Sequence, residues 1–135
     1  MLILVAVLSG GYLLAGAFRK SGAGIGPALA VQWINHEKAV VVDTRPPEKF
    51  EAGHVVNARN LPLEKLNEDG VSGLPGNKTL PVILVCDTGY SAQKAVPVFK
   101  KAGYENVHVL AGGLNAWIKA ELPLEVGPAS KGKGK

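Results

Sequence analysis

Three short apolar runs mark the chain at residues 39–42, 81–85 and 107–110. Each is too short for an amphipathic helix, is rich in valine and is bounded by polar or turn-forming residues, so each is a predicted strand. The run at 81–85 is continuously apolar rather than alternating, as in a strand buried on both faces. Helical spacing fills the intervals. Residues 28–35 carry Leu29, Val31, Trp33 and Ile34, and shorter helical stretches are predicted at 48–52, 63–67 and 114–120. The longest helix of the domain is expected at 91–102, stopped by Gly103 as its C′ residue. Alternation of strand and helix with short connections predicts an α/β fold, a parallel sheet with helices on both faces. In such sheets ligands bind beyond the carboxyl ends of the strands. Asp43 and Cys86 stand at two of those ends.

The two ends of the chain have a different texture. Residues 2–18 carry no charge, and at about 1.5 Å per residue they would span roughly 25 Å as a helix, the short end of a transmembrane length. They are read as a transmembrane helix. The alternative is a secretory signal peptide, with export after cleavage: Ala15-Gly16-Ala17 has the small-x-small form of a cleavage site, although no Lys or Arg precedes the apolar run. Arg19 and Lys20 follow the segment, and the positive-inside rule places them in the cytoplasm. The expected arrangement is therefore a single pass through the inner (cytoplasmic) membrane, with the domain facing the cytoplasm. Gly10, Gly11, Ala15 and Gly16 offer a small-residue face for helix association. Residues 19–27, rich in glycine and ending in Pro27, read as a flexible linker. The domain is expected over 28–126, and residues 127–135, with Lys131, Lys133 and Lys135, as a disordered basic tail.

A length of 135 residues with 47% hydrophobic and 19% charged residues suits one compact domain plus appendages. The net charge of +4 suggests nucleic acid or anionic lipid until it is located. Arg19, Lys20 and the three tail lysines lie outside the domain, and without them ten basic residues face eleven acidic ones. A nucleic-acid-binding face is thereby excluded as the basis of function. One cysteine rules out an internal disulfide and a cysteine-based zinc site, and His36, His54 and His108 have no ligand spacing, so no metal is implied.

That one cysteine carries the chemistry. Cys86 ends the 81–85 strand and opens a tight turn, Asp87-Thr88-Gly89-Tyr90-Ser91, that feeds a predicted helix from Ala92. Unpaired N–H groups and the positive end of a helix dipole favour a thiolate there. The competing reading is a buried, inert cysteine at a strand end.

The residues resemble a known family. Val41-Val42-Asp43-Thr44-Arg45, then Phe50, then Gly53-His54-Val55-Val56-Asn57-Ala58 resemble the N-terminal signature of the rhodanese family. Cys86 through Ser91 resembles its six-residue active-site loop, and Val109-Leu110-Ala111-Gly112-Gly113-Leu114 with Trp117 and Pro123 its C-terminal signature. The resemblance implies a sulfurtransferase, without cofactor, whose loop cysteine takes a sulfane sulfur from a donor, holds it as a persulfide and passes it to a thiophilic acceptor. An anchor ahead of one such domain is similar to an arrangement found in bacteria, and a small sulfur donor or a protein persulfide or thiol would be the partner. The alternative is a rhodanese-like binding module that presents the loop to a protein partner at the membrane.

On that reading, N–H groups from Asp87 to Ala92 cradle the persulfide anion. Gly89 supplies a positive φ, and Ser91 caps the helix and donates its hydroxyl toward the sulfur. Asp43 and Arg45 are expected to pair and steer the loop, and His54 to serve the fold rather than act as a base. The chain departs from the family pattern in four places. The loop has no basic residue and carries Asp87, which would repel an anionic donor such as thiosulfate. Asn57 and Glu121 stand where glycine is usual, and Pro97 lies within the predicted helix. A phosphatase would need a longer loop closing in arginine. Here Ala92 follows Ser91, and no arginine lies beyond Arg59.

Overall fold

The computed structural model describes residues 24–128 apart from 72 and 75. The segment read as a transmembrane helix, residues 2–18, lies outside the described residues, as do 129–135 of the tail. Among the described residues no helix is long and apolar enough to cross a membrane.

The chain forms β1 (Gly24–Ile25), α1 (Pro27–Glu37), β2 (Val40–Asp43), α2 (Pro47–Ala52), β3 (His54–Val55), β4 (Arg59–Asn60) and α3 (Leu63–Asp69). It continues through β5 (Val82–Val85), a 3₁₀ turn (Ser91–Ala95) running into α4 (Val96–Lys101), β6 (Val107–Leu110), α5 (Gly113–Lys119) and β7 (Leu124–Glu125). The main sheet has the order β1-β6-β5-β2-β4 with every neighbouring pair parallel, and β3 and β7 form a separate antiparallel ribbon. Helices cover both faces. Val41, Ile83, Val85 and Leu110 face Ala30 and Trp33 of α1, Phe50 of α2, and Leu114 and Trp117 of α5. The alternate residues Val42, Val82, Leu84, Val107 and Val109 face Leu66 of α3, Ala92 and Ala95 of the 3₁₀ turn, and Phe99 of α4. Successive side chains of a strand leave opposite faces, so a sheet buried on both sides needs the unbroken apolar runs of β2 and β5.

Two expectations change. Gly24 and Ile25, inside the stretch read as a flexible linker, form an edge strand on β6, and Gly127 of the tail donates its N–H to Glu51 O. The stretch 91–102 is not one helix, and the longest helix among the described residues is α1, of 11 residues. Ala92 and Ala95, both fully buried, must face the sheet three positions apart, a spacing that 3.0 residues per turn stacks on one side. The α-helix begins only at Val96, so Pro97 falls in its first turn and removes no helical hydrogen bond. Gly103 does terminate the helix, at φ 98°. Its N–H bonds Lys100 O, Tyr104 N–H bonds Phe99 O, and the Phe99 and Tyr104 rings meet edge to face at 5.5 Å, a complete Schellman motif.

Candidate functional site

Parallel register sets the site. Asp43 pairs with Val85, so the residue after each, Thr44 and Cys86, emerges side by side at the carboxyl edge. Thr44 fastens the two strand ends, its N–H and its hydroxyl both donating to Val85 O at 2.9 and 3.1 Å. Cys86 is 3% exposed, and its Sγ accepts the N–H of Gly89 at 2.9 Å and of Ala92 at 3.3 Å. Gly89 has φ 98°, and a Cβ there would also crowd Leu110 O at 3.3 Å. Of the N–H groups from Asp87 to Ala92, Gly89 and Ala92 are seen to donate to the sulfur.

Its electrostatic origin differs from expectation. The loop enters a 3₁₀ turn rather than an α-helix, so individual N–H bonds and not an extended helix dipole face the sulfur. Ser91 makes no side-chain cap, and the capping position is Tyr90. Ser91 lies exposed on the cleft wall; Thr88 and Tyr90 are exposed.

Asp43 and Arg45 pair as expected, through a buried clamp. Arg45 Nε lies 2.9 and 3.1 Å from the two Asp43 carboxylate oxygens and Nη2 2.8 Å from Oδ2, while Nη2 also donates to Gly53 O at 2.7 Å. Burial draws the Arg45 pKa down, but the hydrogen bonds and charge of Asp43, and then Asp87, outweigh it, leaving it above the ordinary arginine value. The remaining nitrogen, Nη1, turns to Asp87 Oδ1 at 3.6 Å, and Lys49 Nζ reaches Asp87 Oδ2 at 3.0 Å. The negative charge that the sequence places beside Cys86 therefore stands between two cations from elsewhere in the fold.

His54 lies outside this group and serves the fold, as expected. It is buried, stacked on Phe50 at 3.7 Å between ring centroids, with Nδ1 2.7 Å from Phe50 O. Asn57 and Glu121 adopt φ 65° and 60°, so both departures from glycine occupy left-handed positions.

Three contributors escaped sequence reasoning. Lys49 gave no local signal. Asn60, two residues beyond the quoted histidine motif, donates Nδ2 to Asp43 O and Arg45 O at 3.1 and 2.9 Å, pinning the turn that carries the clamp. Gly113 sits inside the C-terminal signature, yet its role is spatial: α5 delivers Leu114 N–H to Cys86 O at 2.8 Å and Asn115 N–H to Asp87 O at 3.2 Å. A cleft of about 460 Å³ opens over Cys86, Asp87 and Ser91, lined also by Arg45, by Lys49 of α2 and by Glu64 and Asn67 of α3. That volume accommodates a small molecule or the tip of a protein side chain.

The fold and site define an α/β domain with a strand-end cysteine held in a backbone N–H cradle at the floor of an open cleft. The Rhodanese-like domain family model matches residues 27–120, and the chain belongs to that family. It is 37% identical over 95 residues to the uncharacterized protein YibN of Escherichia coli (strain K12), covering 70% of this chain and 66% of YibN. An uncharacterized protein of Buchnera aphidicola subsp. Schizaphis graminum is 34% identical over 94 residues, 70% of this chain and 63% of the relative. The match thus spans just under two thirds of each of these relatives. Thiosulfate sulfurtransferase GlpE of Pseudomonas putida is 35% identical over 103 residues, covering 75% of this chain and 88% of GlpE. Among solved structures, the rhodanese homolog TT1651 from the extremely thermophilic bacterium Thermus thermophilus aligns with TM-score 0.56 and 32% identity over 69% of this chain and 98% of that one. A thiosulfate sulfurtransferase from Pseudomonas aeruginosa aligns with TM-score 0.69 over 81% of this chain and 20% of that one; at 24% identity the likeness is one of fold.

Proposed function

We propose that the domain is a sulfurtransferase that carries sulfane sulfur as a persulfide on Cys86. The observation that carries this reading is the pair of N–H groups, Gly89 and Ala92, directed at Sγ beneath an open cleft. Kinship with GlpE, named a thiosulfate sulfurtransferase, supports it. In the first half-reaction the Cys86 thiolate attacks the outer sulfur of a donor. A Cys86–sulfur bond forms, the donor's own bond to that sulfur breaks, and the leaving group departs with the electron pair. An acceptor thiolate then attacks the terminal sulfur and Cys86 leaves as thiolate. No external oxidant, reductant or metal enters the balance. The persulfide anion formed between the half-reactions carries its charge on the outer sulfur, while Gly89 N–H and Ala92 N–H hold the Cys86 sulfur to which it is bonded.

The test is intact-mass measurement of the full-length chain after exposure to a sulfane donor. The expected result is a gain of about 32 Da, one sulfur atom, absent in Cys86→Ser. Failure of thiosulfate, polysulfide and an alkyl persulfide alike to load the wild type, with the thiol still accessible to alkylation, refutes the proposal.

A further inference from the structure

The cations of the cleft are already occupied. Arg45 spends Nε and Nη2 on Asp43 and Gly53 O and turns Nη1 to Asp87, while Lys49 holds the other Asp87 oxygen. Asp87 is thus bound where a small oxyanion entering the cleft would find two positive charges. The Asp87 and Lys49 side chains are 48% and 56% exposed, so the pair adds little to stability and its removal leaves the core intact. Glu64 puts a further carboxylate in the lining of the cleft.

We infer that Asp87 is a specificity-determining residue: its carboxylate is an internal occupant of the Lys49–Arg45 anion site and biases sulfur loading away from dianionic donors toward alkyl persulfides. The inference rests on the persulfide reading. A dianion such as thiosulfate must displace Asp87 from Lys49 and also meet its charge. An alkyl persulfide, R–S–SH, has no second anionic group to place there. The Cys86 thiolate attacks its outer sulfur, the S–S bond breaks, RS⁻ leaves with the electron pair and takes up a proton from solvent, and the Cys86 persulfide loses its own proton to solvent. Removing one charge about 6 Å from a dianion in a near-aqueous dielectric changes its binding about tenfold.

The experiment compares the rate of gain of one sulfur on the full-length chain from thiosulfate and from 2-hydroxyethyl persulfide generated in situ. Four proteins are compared: wild type, Asp87→Asn, Lys49→Met, and the double variant. Asp87→Asn is expected to raise the thiosulfate-to-persulfide rate ratio about tenfold, an effect that shrinks with added salt. Lys49→Met alone lowers the ratio, and in the Asp87→Asn background it abolishes most of the gain. A ratio unchanged within about twofold in Asp87→Asn, with normal loading by the alkyl persulfide, overturns the inference and leaves sulfur transfer standing. An equal gain with and without Lys49 overturns it too, since the effect would not run through the cation. Absence of loading of the wild type from both donors and from polysulfide, with the thiol still open to alkylation, brings down the sulfurtransferase reading itself.

Discussion

Gly113→Ala is the most searching perturbation of the site, because Gly113 touches the loop only through the space it leaves. A Cβ at this position would stand 2.4 Å from Cys86 O and 2.6 Å from both C and O of Asp87, all backbone atoms, where ordinary contact begins at about 3.4 Å. The loop or the start of α5 must therefore retreat by about 1 Å. That retreat stretches the bonds from Leu114 N–H to Cys86 O and from Asn115 N–H to Asp87 O, each worth about 0.5–1.5 kcal/mol. Gly113 also has φ 59°, which costs a residue with a Cβ about 1–2 kcal/mol, offset by about 0.4–1 kcal/mol from reduced freedom of the unfolded chain. The sum is a loss of about 2–4 kcal/mol, or a fall in Tm of roughly 10–20 °C for a domain of this size. The clash falls on Cys86 and Asp87, so Cys86 shifts relative to Gly89 N–H and Ala92 N–H, and a misplacement of about 1 Å slows loading about 100-fold. Gly26→Ala is the control, since a Cβ there meets nothing within 4 Å and its φ is −78°. Thermal unfolding and the rate of sulfur gain by intact mass are read on the same samples. A Gly113→Ala protein that melts with the wild type and loads within about threefold of its rate would refute the claim that α5 holds the loop in place.

Two further outcomes follow from the backbone. Pro97→Ala is expected to destabilise by up to about 1 kcal/mol in urea unfolding, because a first-turn proline already has the right φ and restricts the unfolded chain; a gain approaching 3 kcal/mol would mean that Pro97 breaks an α-helix after all. Glu121→Gly is expected to stabilise by about 0.5–1 kcal/mol, since Glu121 is exposed at φ 60° and bears its left-handed strain without a side-chain bond to offset it among the described contacts. A neutral or negative shift in the urea midpoint contradicts that reasoning.

Kinship with named sulfurtransferases and the geometry at Cys86 point the same way, yet the loop of this chain is not a neutral vessel. Its one acidic residue is tied to Lys49, so the donor preference inferred above would rest on a pair of residues 38 positions apart. Sequence reasoning placed a repelling charge beside the cysteine; the fold partly compensates that charge and turns it into an occupant of a cation pair.

What the chain determined by itself was local. The apolar runs of β2, β5 and β6, the strand-end position of Cys86, the glycine turn at Gly89 and the two-residue spacing of Asp43 and Arg45 all act between near neighbours, where periodicity and turn chemistry suffice. Tertiary structure decided the rest, because it depended on which strand ends lie together. Register alone brings Asp43 beside Val85 and so Arg45 toward Asp87. Packing of Ala92 and Ala95 on the sheet turned an expected helix into a 3₁₀ turn, which removed the helix dipole from Cys86 and moved Pro97 to a harmless place. Lys49, Asn60 and Gly113 act on the loop from three other elements, and no pattern within a window of the sequence encodes a contact whose partners meet only when the sheet is complete.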